Sequence, residues 1–170
     1  MCTEIRIDEK KQGHLIDITT RAGSPASELQ QEWIENFSEV IYECAKGNVV
    51  EPIFKTKYAA QIAFYSPITN DAQELTIPED IKQWVKLYNY CGVNKVGSNI
   101  YGIIPIEEVK EPTVELGFVV GLGETPEECF EKIQGYFDQI EGEHLELQKG
   151  AIEEVTKEVK KLKKVLDIDF

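Results

Sequence analysis

The 170-residue sequence predicts an α+β fold, an antiparallel sheet with packed helices and a C-terminal helical appendage. Three observations carry this reading. Short runs of alternating apolar and polar residues recur along the chain, at the period of a half-buried strand. Two longer segments place apolar residues at three- and four-residue steps between capping signals, as amphipathic helices do. Residues 143–166 hold a narrow apolar seam among charged residues, a pattern suited to a helix outside the main sheet.

The first element is a hairpin. Thr3-Glu4-Ile5-Arg6-Ile7 and Gly13-His14-Leu15-Ile16-Asp17-Ile18-Thr19 both alternate, and residues 8–12 between them read as a turn. A register pairing Ile7 with His14 sets Glu4 directly opposite Asp17. Like charges at opposed positions destabilise a sheet. A divalent cation between them removes that penalty, and Mg²⁺ favours carboxylate oxygens plus substrate phosphates. Ser24 then supplies an N-cap and Pro25 a first helical residue. Leu29, Trp33, Phe37, Val40, Ile41 and Cys44 form one helical stripe, which Gly47 ends. Arg21 and Gly23 thereby fall on a strand-to-helix turn, beside a helix N-terminus that favours anions. Turns of this kind also occur without ligand.

Residues 57–66 read as a strand of a second sheet, and residues 67–71 as a turn. Residues 75–77 form a short strand, and residues 78–80 suit the start of a single helical turn. The aromatic, alternating residues 84–91 favour strand. Residues 92–98 turn the chain into a strand at 100–104. Residues 113–121 are the most apolar and predict a central strand. Gly121-Leu122-Gly123 follows, but the third glycine of a dinucleotide loop is replaced by Pro126. A plain strand–turn–helix connection accounts for the same residues. Thr125 and Glu128 form a capping box, with Pro126 at the first helical position. Cys129, Phe130, Ile133, Phe137 and Ile140 make the buried stripe, and Gly142 closes the helix. The last helix spans 143–166, with Ile152, Val155, Val159, Leu162 and Leu166 as its seam. It packs on its own domain or on a second copy as a homodimer, with intramolecular packing slightly preferred.

Composition narrows the function classes. A net charge of −13 without a basic block argues against nucleic acid, whose affinity comes largely from phosphate neutralisation. Anionic membranes are disfavoured for the same reason, and no apolar run reaches spanning length. Cys2, Cys44, Cys91 and Cys129 form no C-x-x-C pair. Cys44 and Cys129 fall on apolar helix faces, so buried free thiols in a reducing cytoplasm are expected. Met1 is followed by charged residues rather than the apolar core of a leader. His14 and His144 read as surface residues. Trp84, Tyr88 and Tyr90 lack flanking basic residues and read as sheet packing rather than base-stacking groups.

The run Asp17-Ile18-Thr19-Thr20-Arg21-Ala22-Gly23-Ser24-Pro25 resembles the Glu-x-Asn-x-Arg-x-Gly-Asp-Pro segment of ATP-grasp ligases of the phosphoribosylamine–glycine ligase group. The order of elements over residues 3–142 is similar too. The resemblance implies three parts: residues 1–50 as the end of an ATP-grasp nucleotide-binding domain, 51–142 as its C-terminal α+β domain, and 143–170 as an appendage. It implies that Glu4 and Asp17 hold magnesium, that Arg6, Thr19 and Gly23 contact the ATP phosphates, and that Arg21 is catalytic. The implied reaction joins a carboxylate to an amine through an acyl phosphate, with Mg and ATP expected only in a complete parent protein. The implied partners are the missing N-terminal ATP-grasp portion and a small-molecule substrate, and the isolated chain is expected to be inactive. The sequence departs from the pattern where Asp17 replaces glutamate, Thr19 replaces asparagine and Ser24 replaces aspartate. Two plainer readings stand beside this one. Glu4 and Arg6 are also ordinary solvent-facing strand residues, with Asp17 paired to Arg6 or Arg21. The whole chain also fits a non-enzymatic interaction or assembly module that docks through its C-terminal helix.

Overall fold

The computed structural model describes residues 2–19, 26–68, 71–92, 99–104, 112–148 and 150–166. The chain opens with β1 (Cys2–Ile7) and β2 (Gly13–Thr19), which pair antiparallel as a two-stranded sheet. Helices α1 (Ala26–Trp33) and α2 (Phe37–Ala45) follow. A four-stranded antiparallel sheet is then built in the order β5-β8-β3-β9, from β3 (Tyr58–Ser66), β5 (Val85–Leu87), β8 (Val114–Gly123) and β9 (Glu146–Leu147). A smaller sheet has the order β4-β7-β6, from β4 (Gln73–Thr76), β6 (Tyr90–Gly92) and β7 (Ile100–Ile103). Helix α3 (Pro126–Phe137) packs on β8 and β3, as α1 does less extensively. Helix α4 (Ala151–Leu166) closes the order.

The core gathers where α3 meets β3 and β8. Phe64, Val119, Leu116 and Ile133 are buried there, with Leu75 of β4 and Ile77 just after it joining them. Each such side chain contributes about 1.5–3 kcal/mol by leaving water. Strand β8 is buried without interruption from Leu116 to Gly123, as its continuous apolar run requires of a central strand. The Gly-x-Gly at its end has a packing cause. A Cβ on Gly121 would lie 2.2 Å from the Cys129 carbonyl oxygen, so only glycine lets α3 approach this closely. The cap of α3 forms as well: Thr125 Oγ1 accepts from the Glu128 N–H at 3.2 Å. The reciprocal bond is shifted by one residue, because Glu128 accepts from the Glu124 N–H at 2.8 Å rather than from Thr125.

Several elements differ from the sequence reading. The single helix expected up to Gly47 is two helices, broken at residues 34–36. Asn36 is drawn away from a capping role: its Oδ1 accepts from the Ile53 N–H at 2.8 Å and its Nδ2 donates to the Glu51 carbonyl at 3.1 Å. Ile34 forms an isolated bridge with Phe54. α2 buries none of its residues, and Cys44 on it is exposed rather than buried. Cys129 is buried as expected.

The single strand expected over 84–91 is divided between two sheets, because Asn89 takes φ 44° and turns the chain between β5 and β6. Its aromatics pack within the fold: Trp84 stacks on Tyr136, and Tyr88 meets Phe118 edge-on. The last helix begins at Ala151 rather than at 143. Residues 146–147 instead pair with β3 at the edge of the larger sheet.

Candidate functional site

The hairpin owes its turn to Asp8. One carboxylate oxygen, Oδ1, accepts from the backbone N–H groups of Lys10 at 2.8 Å and Gln12 at 2.9 Å, which is an Asx turn. Oδ2 meets His14 Nε2 at 2.9 Å. These contacts, the His14 bond foremost, hold the Asp8 carboxyl below its ordinary pKa. His14 is exposed and spent on this latch, as suits a surface residue.

The register differs by one residue from the expected one near the turn, where Ile7 faces Gly13 and Arg6 faces His14. A β-bulge then intervenes between Glu4 and Ile5. Ile5 faces Leu15, Ile16 is the extra residue, and Glu4 faces Asp17. The slip and the bulge cancel. The two carboxylates therefore stand opposite one another on one face of the hairpin, both exposed.

Alternation places Arg6 on the same face, and its Nε donates to Glu4 Oε1 at 3.1 Å. At 53% and 75% exposure for Glu4 and Arg6, water screens this pair heavily. It leaves Glu4 able to exchange partners. Thr19 pairs with Cys2 at the end of the hairpin. Arg21 and Gly23, with Ser24 and Pro25, lie outside the described residues. The structure thus places Glu4, Arg6 and Asp17 on one face, and of the expected constellation Arg21 and Gly23 lie outside the described residues.

The donor set fits a hard cation that brings further ligands with it. Among the described residues no group of three or more His, Cys, Asp and Glu side chains is poised to hold a metal. Two opposed carboxylates are what Mg²⁺ uses when substrate phosphates and water complete its shell.

The reverse face of the hairpin is a feature the sequence reading did not single out. Ile5, Ile7, Leu15 and Ile18 are about half exposed, as is the bulged Ile16. A two-stranded hairpin with a bare apolar face is marginal in water. The pattern that signalled it was the alternation itself, which demands a covering layer on one side. α2 and the segment after it add Ile41, Tyr42, Ile53 and Phe54 to the exposed apolar surface. A cleft of about 310 Å³ lies elsewhere, between Tyr65, Ser66, Thr113 and Glu146, and none of its lining residues belongs to the hairpin. No helix among the described residues is long and apolar enough to cross a membrane.

This architecture, a strand hairpin leading through helices into an antiparallel α+β body, is shared with part of a solved ligase structure. Among solved structures it is similar to phosphoribosylamine–glycine ligase from Thermotoga maritima, with a TM-score of 0.59 and 17% sequence identity. The match covers 81% of this chain and 33% of that one, so the chain spans about a third of the length of the ligase it resembles. At this identity the likeness is one of fold. No protein-family model matches the sequence. No curated protein sequence matches it either.

Proposed function

We propose that this chain acts as the C-terminal part of an ATP-grasp carboxylate–amine ligase-like protein, contributing contacts to Mg-ATP phosphates and inactive alone. The observation that carries this reading is the pairing of Glu4 with Asp17 across a bulged hairpin, in a chain whose fold matches one third of such a ligase. The bare apolar face of the same hairpin supports it, because the remainder of an ATP-grasp domain is the layer such a face needs.

In the assembled site Glu4 and Asp17 would hold the cation, which supplies charge neutralisation for the phosphates. Thr19 would offer a hydroxyl beside them. Arg6, released from Glu4, would pair with a phosphate oxygen, since a guanidinium matches that geometry. Arg21 would stabilise charge on the transferring phosphoryl group or on the acyl phosphate, and Gly23 would let the backbone approach the phosphates at the helix N-terminus. None of these residues forms an adenine pocket or an acceptor site. Catalysis needs those parts positioned together.

A thermal-shift titration tests the reading. With a dissociation constant of about 1 mM or weaker, 1 mM Mg-ATP stabilises the folded chain by at most about 0.4 kcal/mol. That moves Tm by roughly 1 °C in a domain of this size. A shift of several degrees contradicts the assignment of the chain as an incomplete part.

A further inference from the structure

We propose that α4 is a dimerisation element, and that its occupant is the α4 of a second copy lying parallel to it. The helix runs for 16 residues, about 24 Å. None of the described elements packs extensively on it, and Val155 and Val159 are 55% and 38% exposed. A lone helix of this length is marginal in water.

Apart from Ala151 and Val165, the apolar positions are Ile152, Val155, Val159, Leu162 and Leu166, a three-four ladder. A stripe this narrow suits a second helix, whereas a sheet face calls for a wider apolar arc. With Ile152, Val159 and Leu166 at a, Val155 and Leu162 fall at d. Two of the three a positions are β-branched and one of the two d positions is leucine, a composition that leans towards two parallel strands.

Charge fixes the orientation. In this register Glu158 falls at g and Lys163 at e, five residues later. In a parallel pair, g of one helix faces the e five residues on in its partner, so two Glu158–Lys163 pairs form by symmetry. An antiparallel pair sets g against g and e against e, which opposes like charges. The Glu158 carboxylate now meets Lys161 Nζ at 3.2 Å, an exposed contact that is readily shared. The helix carries five lysines and three glutamates, a net of +2 in a chain of −13, so repulsion between copies is least along this element.

Sedimentation velocity on the full chain at about 150 mM salt, where net-charge repulsion is screened, tests the proposal. A concentration-dependent monomer–dimer equilibrium is expected. Glu158→Lys and Lys163→Glu should each weaken it about tenfold, because each turns two attractive pairs repulsive. An equimolar mixture of the two variants should restore the dimer, since every g–e pair in the heterodimer is again of opposite charge. This rescue separates a lost interface from a damaged helix. Val159→Asp should abolish association. A monomer up to about 0.5 mM, a dimer that survives Val159→Asp, or single variants that mixing does not rescue would each overturn the parallel pairing.

Discussion

One substitution made at two glycines separates a packing role from a loop role. Gly121 and Gly135 both become alanine. At Gly121 the new Cβ lies 2.2 Å from the Cys129 carbonyl oxygen and 2.9 Å from Ile133 Cγ1. The first neighbour is helix backbone, which yields only if α3 moves off β8 by about 1 Å. Overpacking of this kind costs about 1–3 kcal/mol, and a backbone clash belongs at the upper end. Gly135 sits inside α3 with nothing within 4 Å of its Cβ position. There alanine gains about 0.5–1 kcal/mol of helix propensity.

The two variants should therefore move in opposite directions. Urea unfolding followed by circular dichroism should show Gly121→Ala less stable by about 2–3 kcal/mol and Gly135→Ala more stable by about 0.5–1 kcal/mol. In a protein of this size that corresponds to a Tm roughly 4–12 °C lower and 1–4 °C higher. A neutral or stabilising Gly121→Ala would refute the argument that Gly121-Leu122-Gly123 exists to let α3 approach.

Further outcomes concern titratable groups. In a Cys2→Ser background, a thiol reagent such as a disulfide dye should label Cys44 and Cys91 quickly and Cys129 only on unfolding. Cys129 is fully buried, and burial pushes its thiol pKa up, whereas the other two are exposed. Rapid labelling of all three in native buffer would contradict the packing of α3. Burial raises the phenol pKa of Tyr65, with the hydrogen bond to Glu115 adding to it, and burial alone raises that of Tyr136. The unfolded chain therefore loses these protons first, near pH 10, while the folded chain keeps them. Their stabilising contribution is intact below pH 10 and declines as pH rises from there through the raised folded values. The urea midpoint should fall as pH rises from about 10 to about 11, less steeply in Tyr65→Phe. Equal slopes would remove Tyr65 from the account.

What was legible in the sequence was local. The period of β8, the Thr125 cap and the alternation of the hairpin all follow from neighbours a few residues apart. The break between α1 and α2 was not legible, because Asn36 is claimed by Glu51 and Ile53 across a turn. The apolar stripe through Trp33 and Phe37 continues as though the helix did. Residues 84–91 read as one strand because alternation survives the left-handed residue Asn89, which sends the chain into another sheet. β9 is two residues long, too short to show any period. The candidate site was half legible. The opposition of Glu4 and Asp17 was expected from a register that is one residue off, and the unforeseen bulge at Ile16 restores it. The need for a partner layer was visible in the alternation but became plain only with the exposure of Ile5, Leu15 and Ile18.

The central claim is that Glu4 and Asp17 face one another closely enough to share a cation. Paramagnetic line broadening by Mn²⁺, a stand-in for Mg²⁺, tests it on the ¹⁵N-labelled chain. Broadening should begin at the amides of residues 3–5 and 16–18 at sub-stoichiometric metal. It should shrink in Glu4→Gln and in Asp17→Asn, and vanish when both are changed. Broadening that begins elsewhere, or that ignores both substitutions, would contradict a shared metal position.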